Sequence, residues 1–261
     1  MKPNRICLAC VPILLGLCAA ASFAQTFTRV DTSVITRDGG YTQGSSWGDF
    51  DNDGDEDLFI SNGSVTSGNH KNFLYRNEGE GRFTKITVGD IVNEVSANGG
   101  SGACWGDYDN DGDLDLFFPV WYGMNSRLYR NDGNRTFTKI TTGIVVNDNS
   151  GDSNGGSWVD IDNDGDLDLC VVNGTTHPIF IYRNEGDGNF IKITEGAIVN
   201  EAFYSLRGSW ADIDNDGDLD LFVANIENDR LYINKCAKLP NRPAMVGTTV
   251  CAFISALATP A

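Results

Sequence analysis

The chain has 261 residues, of which 19 are Lys or Arg and 36 are Asp or Glu, and its net charge at neutral pH is -17. That charge argues against a protein that binds the phosphate backbone of nucleic acids. The 30 glycines, 41% hydrophobic residues and 10% aromatic residues exclude an intrinsically disordered chain. The length allows one large domain or an array of repeats.

The first 24 residues have the features of a secretory signal peptide. Lys2 and Arg5 give a basic start, residues 6–21 are almost wholly apolar, and Ser-Phe-Ala at 22–24 supplies the small residues of a cleavage site. A retained membrane anchor is the alternative, but the apolar run is short for one. We therefore expect residues 1–24 to be a signal peptide and the protein to be secreted or displayed at the cell surface.

Four cysteines follow this segment, which is too few for a disulfide scaffold in a chain of this size. Cys104 and Cys170 align with strand residues of other repeats, so we expect both to be packed inside. Cys236 and Cys251 could pair in an oxidising compartment, and nothing in the sequence forces that disulfide.

An internal repeat organises residues 25–234. The segment Gly-Ser-Ser-Trp-Gly-Asp-Phe-Asp-Asn-Asp-Gly-Asp-Glu-Asp-Leu-Phe at 44–59 returns three more times with few changes. Each copy continues with a segment like Leu-Tyr-Arg-Asn-Glu-Gly at 74–79 and, in the first three copies, with one like Phe-Thr-Lys-Ile-Thr at 83–87. The four units are centred on Trp47, Trp105, Trp158 and Trp210.

Each unit contains four short apolar runs separated by Asn, Asp and Gly, which is typical of strands joined by tight turns. In the first unit, the first predicted strand ends at Trp47, and the other three span residues 57–61, 73–76 and 82–87. Three Asn-x-Gly turns place a glycine where a hairpin needs a positive φ, at Gly79, Gly133 and Gly186. No helical periodicity of useful length is present. The sequence therefore predicts an all-β fold, a β-propeller of four blades.

The loop after each Trp carries an aspartate at every second position. In the first copy, residues 49–57, side-chain oxygens at loop positions 1, 3, 5 and 9 and the backbone carbonyl at position 7 can surround a cation, and the glycine at position 6 makes the sharp turn. Calcium accepts such an all-protein cage more readily than magnesium, which keeps its waters. We expect up to four Ca²⁺ ions, held by Asp49, Asp51, Asp53, Asp55, Asp57, Asp107, Asp109, Asp111, Asp113, Asp115, Asp160, Asp162, Asp164, Asp166, Asp168, Asp212, Asp214, Asp216, Asp218 and Asp220.

Two alternatives to these calcium loops are weaker. Acidic turns without a metal would place five carboxylates in one loop, where they repel one another strongly. An EF-hand would carry a glutamate at the twelfth loop position, but the chain has strand-like flanks and Ile60, Phe118, Val171 and Val223 at that position. The twenty loop aspartates carry more negative charge than the whole chain, whose net charge is -17, so the acidity is confined to the loops.

The segments Trp-Gly-Asp-Phe-Asp-Asn-Asp-Gly-Asp-Glu-Asp-Leu, Leu-Tyr-Arg-Asn-Glu-Gly and Phe-Thr-Lys-Ile-Thr resemble the FG-GAP or VCBS repeat family, the integrin-α-like propeller blades, and particularly its branch related to ASPIC/UnbV and cartilage acidic proteins. The resemblance covers residues 27–234. It implies a propeller whose calcium loops join the first two strands of each blade, and an extracellular binding or adhesion module. Family propellers usually have seven blades, whereas this chain shows four.

No catalytic apparatus is expected. Gly-Ser-Ser-Trp-Gly at 44–48 matches a nucleophile elbow, but the aligned copies change Ser46 or its flanks, which indicates a repeat residue on a strand. His70 and His177 fall in the loops between the second and third strands, where we expect surface positions. These loops vary between copies while the frame does not, as expected of a scaffold that presents specificity loops. They span residues 62–72, 121–125, 173–178 and 224–228.

Two function classes therefore remain. The favoured one is a calcium-stabilised, non-catalytic scaffold for protein or glycan partners, and Trp121, Tyr122 and His177 could stack on a sugar. The other is a propeller domain of, or accessory to, an extracellular carbohydrate-active enzyme.

Ring closure also has two possible forms. Residues 27–30 copy the Phe-Thr-Lys-Ile segment that the fourth unit lacks, and pairing them with 230–233 would give a closed four-blade ring. We favour an open arc of a truncated larger propeller, because four blades is the narrow limit. Residues 235–261 are expected to form an irregular tail, since Gly, Pro and Thr make the uncharged run from 243 a poor membrane anchor.

Overall fold

The computed structural model describes residues 27–63, 70–96, 102–121, 123–148, 152–174 and 177–235. The expected signal peptide, Tyr122, the Cys236 and Cys251 pair and nearly all of the expected tail lie outside these residues. Met1–Asp31 and Thr32–Ala261 form separate compact units. In the first unit, residues 27–31 form no strand. Within the described residues no helix is long and apolar enough to cross a membrane.

Four antiparallel sheets, called blades 1 to 4 in chain order, make up most of the second unit. Blade 1 contains β1 (Thr42–Gly48), β2 (Asp57–Asn62), β4 (Phe73–Asn77) and β5 (Phe83–Ile86), and a short strand β3 (His70–Lys71) pairs outside it with β6 (Val95–Ser96). Blade 2 contains β7 (Cys104–Gly106), β8 (Asp115–Phe118), β9 (Arg127–Asn131) and β10 (Phe137–Ile140). Blade 3 contains β11 (Ser153–Val159), β12 (Asp168–Asn173), β13 (Phe180–Asn184) and β14 (Phe190–Lys192). Blade 4 contains β15 (Ser205–Ala211), β16 (Asp220–Asn225) and β17 (Arg230–Tyr232).

The strand prediction is confirmed in type and, within one or two residues, in its bounds. Each tryptophan lies opposite a leucine of the next strand, as Trp47 does opposite Leu58, and this register returns in all four blades. Hairpin glycines take the positive φ that the turns require, with 77° at Gly79, 71° at Gly133 and 97° at Gly186. The pairing of β3 with β6 was not predicted, because both strands are only two residues long.

A one-turn helix precedes each blade, and the sequence did not predict any of them. The bounds are α1 Val34–Arg37, α2 Asp90–Asn93, α3 Ile144–Asn147 and α4 Ala197–Asn200. Four residues are too few to show a helical period, so hydrophobic patterning cannot detect them. Each helix lies in the segment that leads into the first strand of its blade.

Neighbouring blades pack through the repeat tryptophan. Trp105 lies between blades 1 and 2, is 7% exposed, and donates its indole N–H to the Ser46 carbonyl oxygen at 3.4 Å. Gly48 permits this approach, because a Cβ there would lie 2.7 Å from Trp105 Cδ1. The next two tryptophans repeat the contact, Trp158 with Cys104 O at 3.3 Å and Trp210 with Ser157 Oγ at 2.9 Å. The core is accordingly divided into clusters that each combine two consecutive blades.

Cys104 and Cys170 are buried in β7 and β12, as predicted. Burial raises the pKa of the Cys170 thiol to about 12, which keeps the sulfur protonated and unreactive. Both cysteines therefore serve as small apolar core residues.

The four-blade propeller is not closed by hydrogen bonds. Among the described residues, blade 4 has three strands, and β17 pairs there with β16 alone. The prediction of a four-blade propeller is confirmed, and its origin as an arc truncated from a larger propeller stays a prediction. The two end blades consequently expose apolar residues that are buried in the blades between them.

Candidate metal centres

The four acidic loops join the first two strands of each blade and share one backbone conformation. The first aspartate caps its own turn, since Asp49 accepts hydrogen bonds from the amides of Asp53 at 3.1 Å and Gly54 at 2.9 Å. Asp107, Asp160 and Asp212 make the same pair of bonds. Two left-handed residues close the turn, Asn52 with φ 57° and Gly54 with φ 93°. Asn and Gly are the residues that adopt this conformation most readily, so the Asp-Asn-Asp-Gly sequence dictates the loop shape.

The ninth aspartate anchors the loop to the third strand. Asp57 is fully buried and accepts hydrogen bonds from the Phe50 amide at 3.1 Å and the Asn77 amide at 2.7 Å. Asp115, Asp168 and Asp220 occupy the same position and are buried as well. Each carboxylate is therefore held in place by two backbone amides before any ligand arrives.

Three carboxylates converge in each loop, with one oxygen of each within 4.8 Å of the others. In blade 1 these are the first, third and fifth loop positions, Asp49, Asp51 and Asp53. In the other blades they are the first, third and ninth, namely Asp107, Asp109 and Asp115; Asp160, Asp162 and Asp168; and Asp212, Asp214 and Asp220. In all four loops the fifth-position carboxylate, of Asp53, Asp111, Asp164 or Asp216, accepts a hydrogen bond from the backbone amide of the seventh residue.

The residues present fit a hard cation. The third-position oxygens Asp51 Oδ1 and Asp109 Oδ1 are buried and have no hydrogen-bond partner within the described residues. A buried carboxylate oxygen without a donor is costly to the fold, and a cation is the ligand that satisfies it. Oxygen-only donors at this density suit calcium.

Burial also shifts the acidity of the anchoring carboxyls. Desolvation raises the pKa of Asp57 to about 7, of Asp115 to about 8 and of Asp168 to about 7, although two backbone amides oppose the shift in each case. Desolvation, followed by the neighbouring loop aspartates, also raises the pKa of Asp109 and Asp51. A divalent cation reverses this effect because it stabilises the ionised form.

A model of the FG-GAP-like repeat matches residues 49–118, 120–171 and 160–223, which together cover more than half of the chain. The chain belongs to the FG-GAP-like repeat family. The matched segments contain all four acidic loops described above, which are therefore the loops of FG-GAP blades.

Two solved structures align with part of this chain at low identity. A lectin of Agrocybe aegerita that recognises non-reducing terminal N-acetylglucosamine aligns at 18% identity with a TM-score of 0.45, over 74% of this chain and 54% of the lectin. The Tc holotoxin pore of Photorhabdus luminescens aligns at 20% identity with a TM-score of 0.38, over 73% of this chain and 9% of the toxin chain. The chain thus spans about half of the lectin and a small part of the toxin. No curated protein matches it significantly.

The FG-GAP loops are linked to one another across the blade junctions, which the sequence did not reveal. The fourth loop residue donates its side-chain amide to the seventh aspartate of the next loop, as Asn52 does to Asp113 at 2.7 Å. The same bond joins Asn110 to Asp166 at 2.6 Å and Asn163 to Asp218 at 2.8 Å. The side chain of the seventh loop aspartate is thus bonded to the neighbouring blade. Its backbone carbonyl is therefore the group that could bind a cation in its own loop.

A second bond crosses each junction in the opposite direction. The last residue of the third strand, Asn131, donates Nδ2 to the Phe50 carbonyl of the preceding blade at 2.7 Å. Asn184 and Asn234 do the same to Tyr108 O at 2.7 Å and Ile161 O at 2.8 Å. Together the two bonds clamp each loop between its neighbours.

Blade 1 departs from this pattern at one position. Arg135, in the hairpin of blade 2, places Nε 3.0 Å from Asp51 Oδ2, and the Asp51 side chain is only 4% exposed. Arg135 has a φ of 66°, and the corresponding hairpin residues Gly81 and Gly188 have 72° and 71°. Arg135 thus adopts a left-handed backbone conformation that glycine adopts at lower cost, and its side chain brings a positive charge to the first loop.

A tyrosine–acid–lysine cluster at the outer strands was also missed. Glu94, directly after α2, accepts hydrogen bonds from Tyr129 at 2.7 Å and Lys139 at 2.7 Å. The same contacts join Asp38 to Tyr75 and Lys85, and Asp148 to Tyr182 and Lys192. In blade 4, whose described part ends with the third strand, Glu201 contacts Tyr232 at 3.4 Å. The recurring Ile-Val-Asn-Glu at 91–94 and 198–201 was the signal in the sequence.

The remaining candidates fall outside the loops. Ser46 is a buried residue of β1 and lies opposite Phe59, in the strand position expected for it. His70 is in β3 and packs against the Tyr41 ring, with 5.0 Å between centroids. His177 follows Asn173 in the varied loop of blade 3, and its side chain is half-buried.

Proposed function

We propose that this protein is a secreted, calcium-binding β-propeller that acts as a non-catalytic scaffold for an extracellular protein or glycan. The observation that carries the calcium proposal is the set of buried carboxylates, pinned by backbone amides and left with unsatisfied oxygens in Asp51 and Asp109. The export proposal rests on the basic and apolar composition of residues 1–24.

Each calcium ion would be held by side chains at loop positions 1, 3, 5 and 9 and by the backbone carbonyl at position 7. The ion would neutralise the mutual repulsion of these aspartates. The chain's own groups hold the site open, because the first aspartate caps the turn and the ninth is fixed to the third strand. Occupied loops would thereby stiffen one end of every blade.

The varied loops support the scaffold proposal. In an antiparallel blade, the connection between the second and third strands lies at the opposite end from the acidic loop. The connections that follow β8, β12 and β16 therefore lie on one common side, away from the acidic loops, and the sequences at 121–125, 173–178 and 224–228 differ from blade to blade. A rigid frame with divergent loops is the usual arrangement for a recognition surface.

The metal proposal is tested by thermal unfolding in EDTA, in millimolar calcium and in millimolar magnesium. Calcium is expected to raise the melting temperature most, because a ligand bound only to the folded chain stabilises it by mass action. Bound calcium after dialysis should fall by one ion in Asp109→Asn and stay unchanged in Asp90→Asn, an exposed aspartate outside the loops. Identical melting curves in EDTA and calcium would refute the structural role of the loops.

The partner proposal is tested separately. An array of glycans and a panel of extracellular proteins should give binding that disappears with EDTA and survives in calcium. Exchange of residues 226–228, the part of this loop beyond β16, for Gly-Asn-Gly should abolish binding without changing calcium content. Hydrolysis of polysaccharides by the purified chain would instead support the carbohydrate-active alternative.

A further inference from the structure

The two ends of the blade array expose surfaces that are buried at every internal junction. The tail face, on blade 4, consists of Ile213, Phe222 and Leu231, which are 49%, 44% and 54% exposed. The residues at these positions in blade 1, Phe50, Phe59 and Leu74, are 1%, 0% and 0% exposed because blade 2 covers them. Within the described part of the chain, blade 4 thus presents a junction surface that no neighbouring blade covers.

The head face, on blade 1, is the other half of such a junction. Trp47 is 49% exposed, whereas Trp105, Trp158 and Trp210 are 7%, 8% and 8% exposed against the preceding blade. The Trp47 ring packs against Phe83 of its own blade, with 6.1 Å between the two centroids. The head face therefore carries the anchor that fills every internal junction.

The polar groups of an internal junction are present on both faces as well. Each internal junction has three hydrogen bonds between its two blades. The tryptophan indole of the second blade bonds to the residue that precedes the tryptophan of the first blade. The fourth loop residue of the first blade bonds to the seventh loop aspartate of the second, and the asparagine that ends the third strand of the second blade bonds to the second loop residue of the first. On the end faces these pairs are Trp47 with Ser209, Asn215 with Asp55, and Asn77 with Ile213. Both halves of a fourth junction are thus encoded in this chain, but at opposite ends.

We propose that the head face of one copy of this chain docks on the tail face of a second copy, and so continues the blade array across the two molecules. The contact is heterologous, since different surfaces meet, and it forms either a closed pair with two junctions or a longer row. A second copy is the occupant that the residues specify, because its head face reproduces the apolar anchor and three hydrogen-bonding groups of the established junction.

The test measures the mass of the full chain in solution by sedimentation or light scattering, in calcium throughout so that the loops keep one state. The wild-type chain is expected to form dimers or larger species as concentration rises. Trp47→Ala, on the head face, and Phe222→Lys, on the tail face, should each weaken association by about tenfold or more, because each removes the aromatic anchor of a buried contact. Ile191→Lys is the matched control, since this 41% exposed residue lies in β14, away from both end faces, and association should persist.

Mixing the two variants distinguishes this contact from any symmetric one. The Trp47→Ala chain keeps an intact tail face and the Phe222→Lys chain an intact head face, so an equimolar mixture should recover association through one junction. A monomeric wild-type chain, or a mixture that stays monomeric, would overturn the proposal. Slow thiol labelling of a monomeric Phe222→Cys chain would mean that residues 236–261 of the same chain cover the tail face, which would equally overturn the proposal.

Discussion

At the scale of single residues, the ninth loop aspartate shows how the fold positions a carboxylate in each candidate metal centre. Asp115 accepts two backbone hydrogen bonds and is completely buried, yet its pKa is raised to about 8 because desolvation outweighs those bonds. The metal-free chain therefore carries protons in its loops that an unfolded chain loses near pH 4. The energetic cost of the site is present in the folded chain before calcium binds.

This leads to a prediction about pH. Because Asp57, Asp115 and Asp168 bind protons more tightly in the folded state, the free energy of unfolding in EDTA should decrease as pH rises from about 5 to about 8. The slope can reach about 1.4 kcal/mol per pH unit for each carboxyl that is still protonated. Urea unfolding at stepped pH measures it, and calcium should flatten the slope. A chain that becomes more stable over this range in EDTA would contradict the pKa shifts.

A second residue-scale prediction concerns Arg135. The change Arg135→Gly removes a cation from Asp51 and places the preferred residue at a φ of 66°. The calcium affinity of the first loop should rise by about two- to fivefold, the size of one ion pair at a partly exposed position.

Calorimetric titration measures this affinity in a background with Asn at 109, 162 and 214, which leaves the first loop as the intact one. Arg82→Gly is the control, because this 68% exposed arginine lies in the blade 1 hairpin and pairs with Glu80. An unchanged affinity in Arg135→Gly would show that the arginine does not compete with the ion.

At the scale of elements, the acid behind each one-turn helix fastens the blade's outer hairpin to the segment that leads into the blade. Glu94 shows this most fully, since Arg127 also contacts it at 2.7 Å and is itself buried. Burial raises the pKa of Glu94, but hydrogen bonds from Lys139, Tyr129 and Arg127 together bring it below its usual value. The outer strand therefore depends on a charge that lies outside the sheet.

Removal of that charge should destabilise blade 2. Glu94→Gln leaves the buried Arg127 guanidinium without a counter-charge, and we expect a loss of about 2 kcal/mol, below the value for a fully buried pair because Glu94 is partly exposed. Glu80→Gln, at a position that is 85% exposed, is the control and should leave the melting temperature unchanged. Chemical denaturation in calcium measures both. Equal stability of the two variants would mean that the cluster does not fasten the strand.

At the scale of the whole molecule, the blades form a row in which each blade contacts its neighbours. The buried Trp158 belongs to an internal junction and Trp47 to an end, so the same substitution has two outcomes. Trp158→Ala should cost about 3–5 kcal/mol, as for large core truncations. Trp47→Ala should cost less than about 1 kcal/mol at protein concentrations where the chain is monomeric. Guanidinium unfolding of the two variants checks this, and similar losses would contradict the open arrangement.

Much of this architecture could be predicted from the sequence. Trp47, Gly54 and Gly79 are local signals, and their copies gave the strands, the acidic loops and the hairpins. The links between blades could not be predicted, because the partners of Asn52 and Arg135 are about a blade away in the chain and only the packing brings them together. The helix and its acid at Glu94 escaped notice because one turn has no period. Metal occupancy and partners remain predictions.

If the loops bind calcium as proposed, the asparagine bridges between them would couple neighbouring sites. Asn52 is held in the first loop and its amide rests on Asp113 of the second, so ordering one loop places a donor on the next. The four proposed sites would then behave as a one-dimensional row with nearest-neighbour coupling, in which an inner site is influenced from two sides and an end site from one. The steepness of calcium binding would then increase with the number of blades in the row. Head-to-tail docking of two chains would give each end site the second neighbour that it lacks in a single chain.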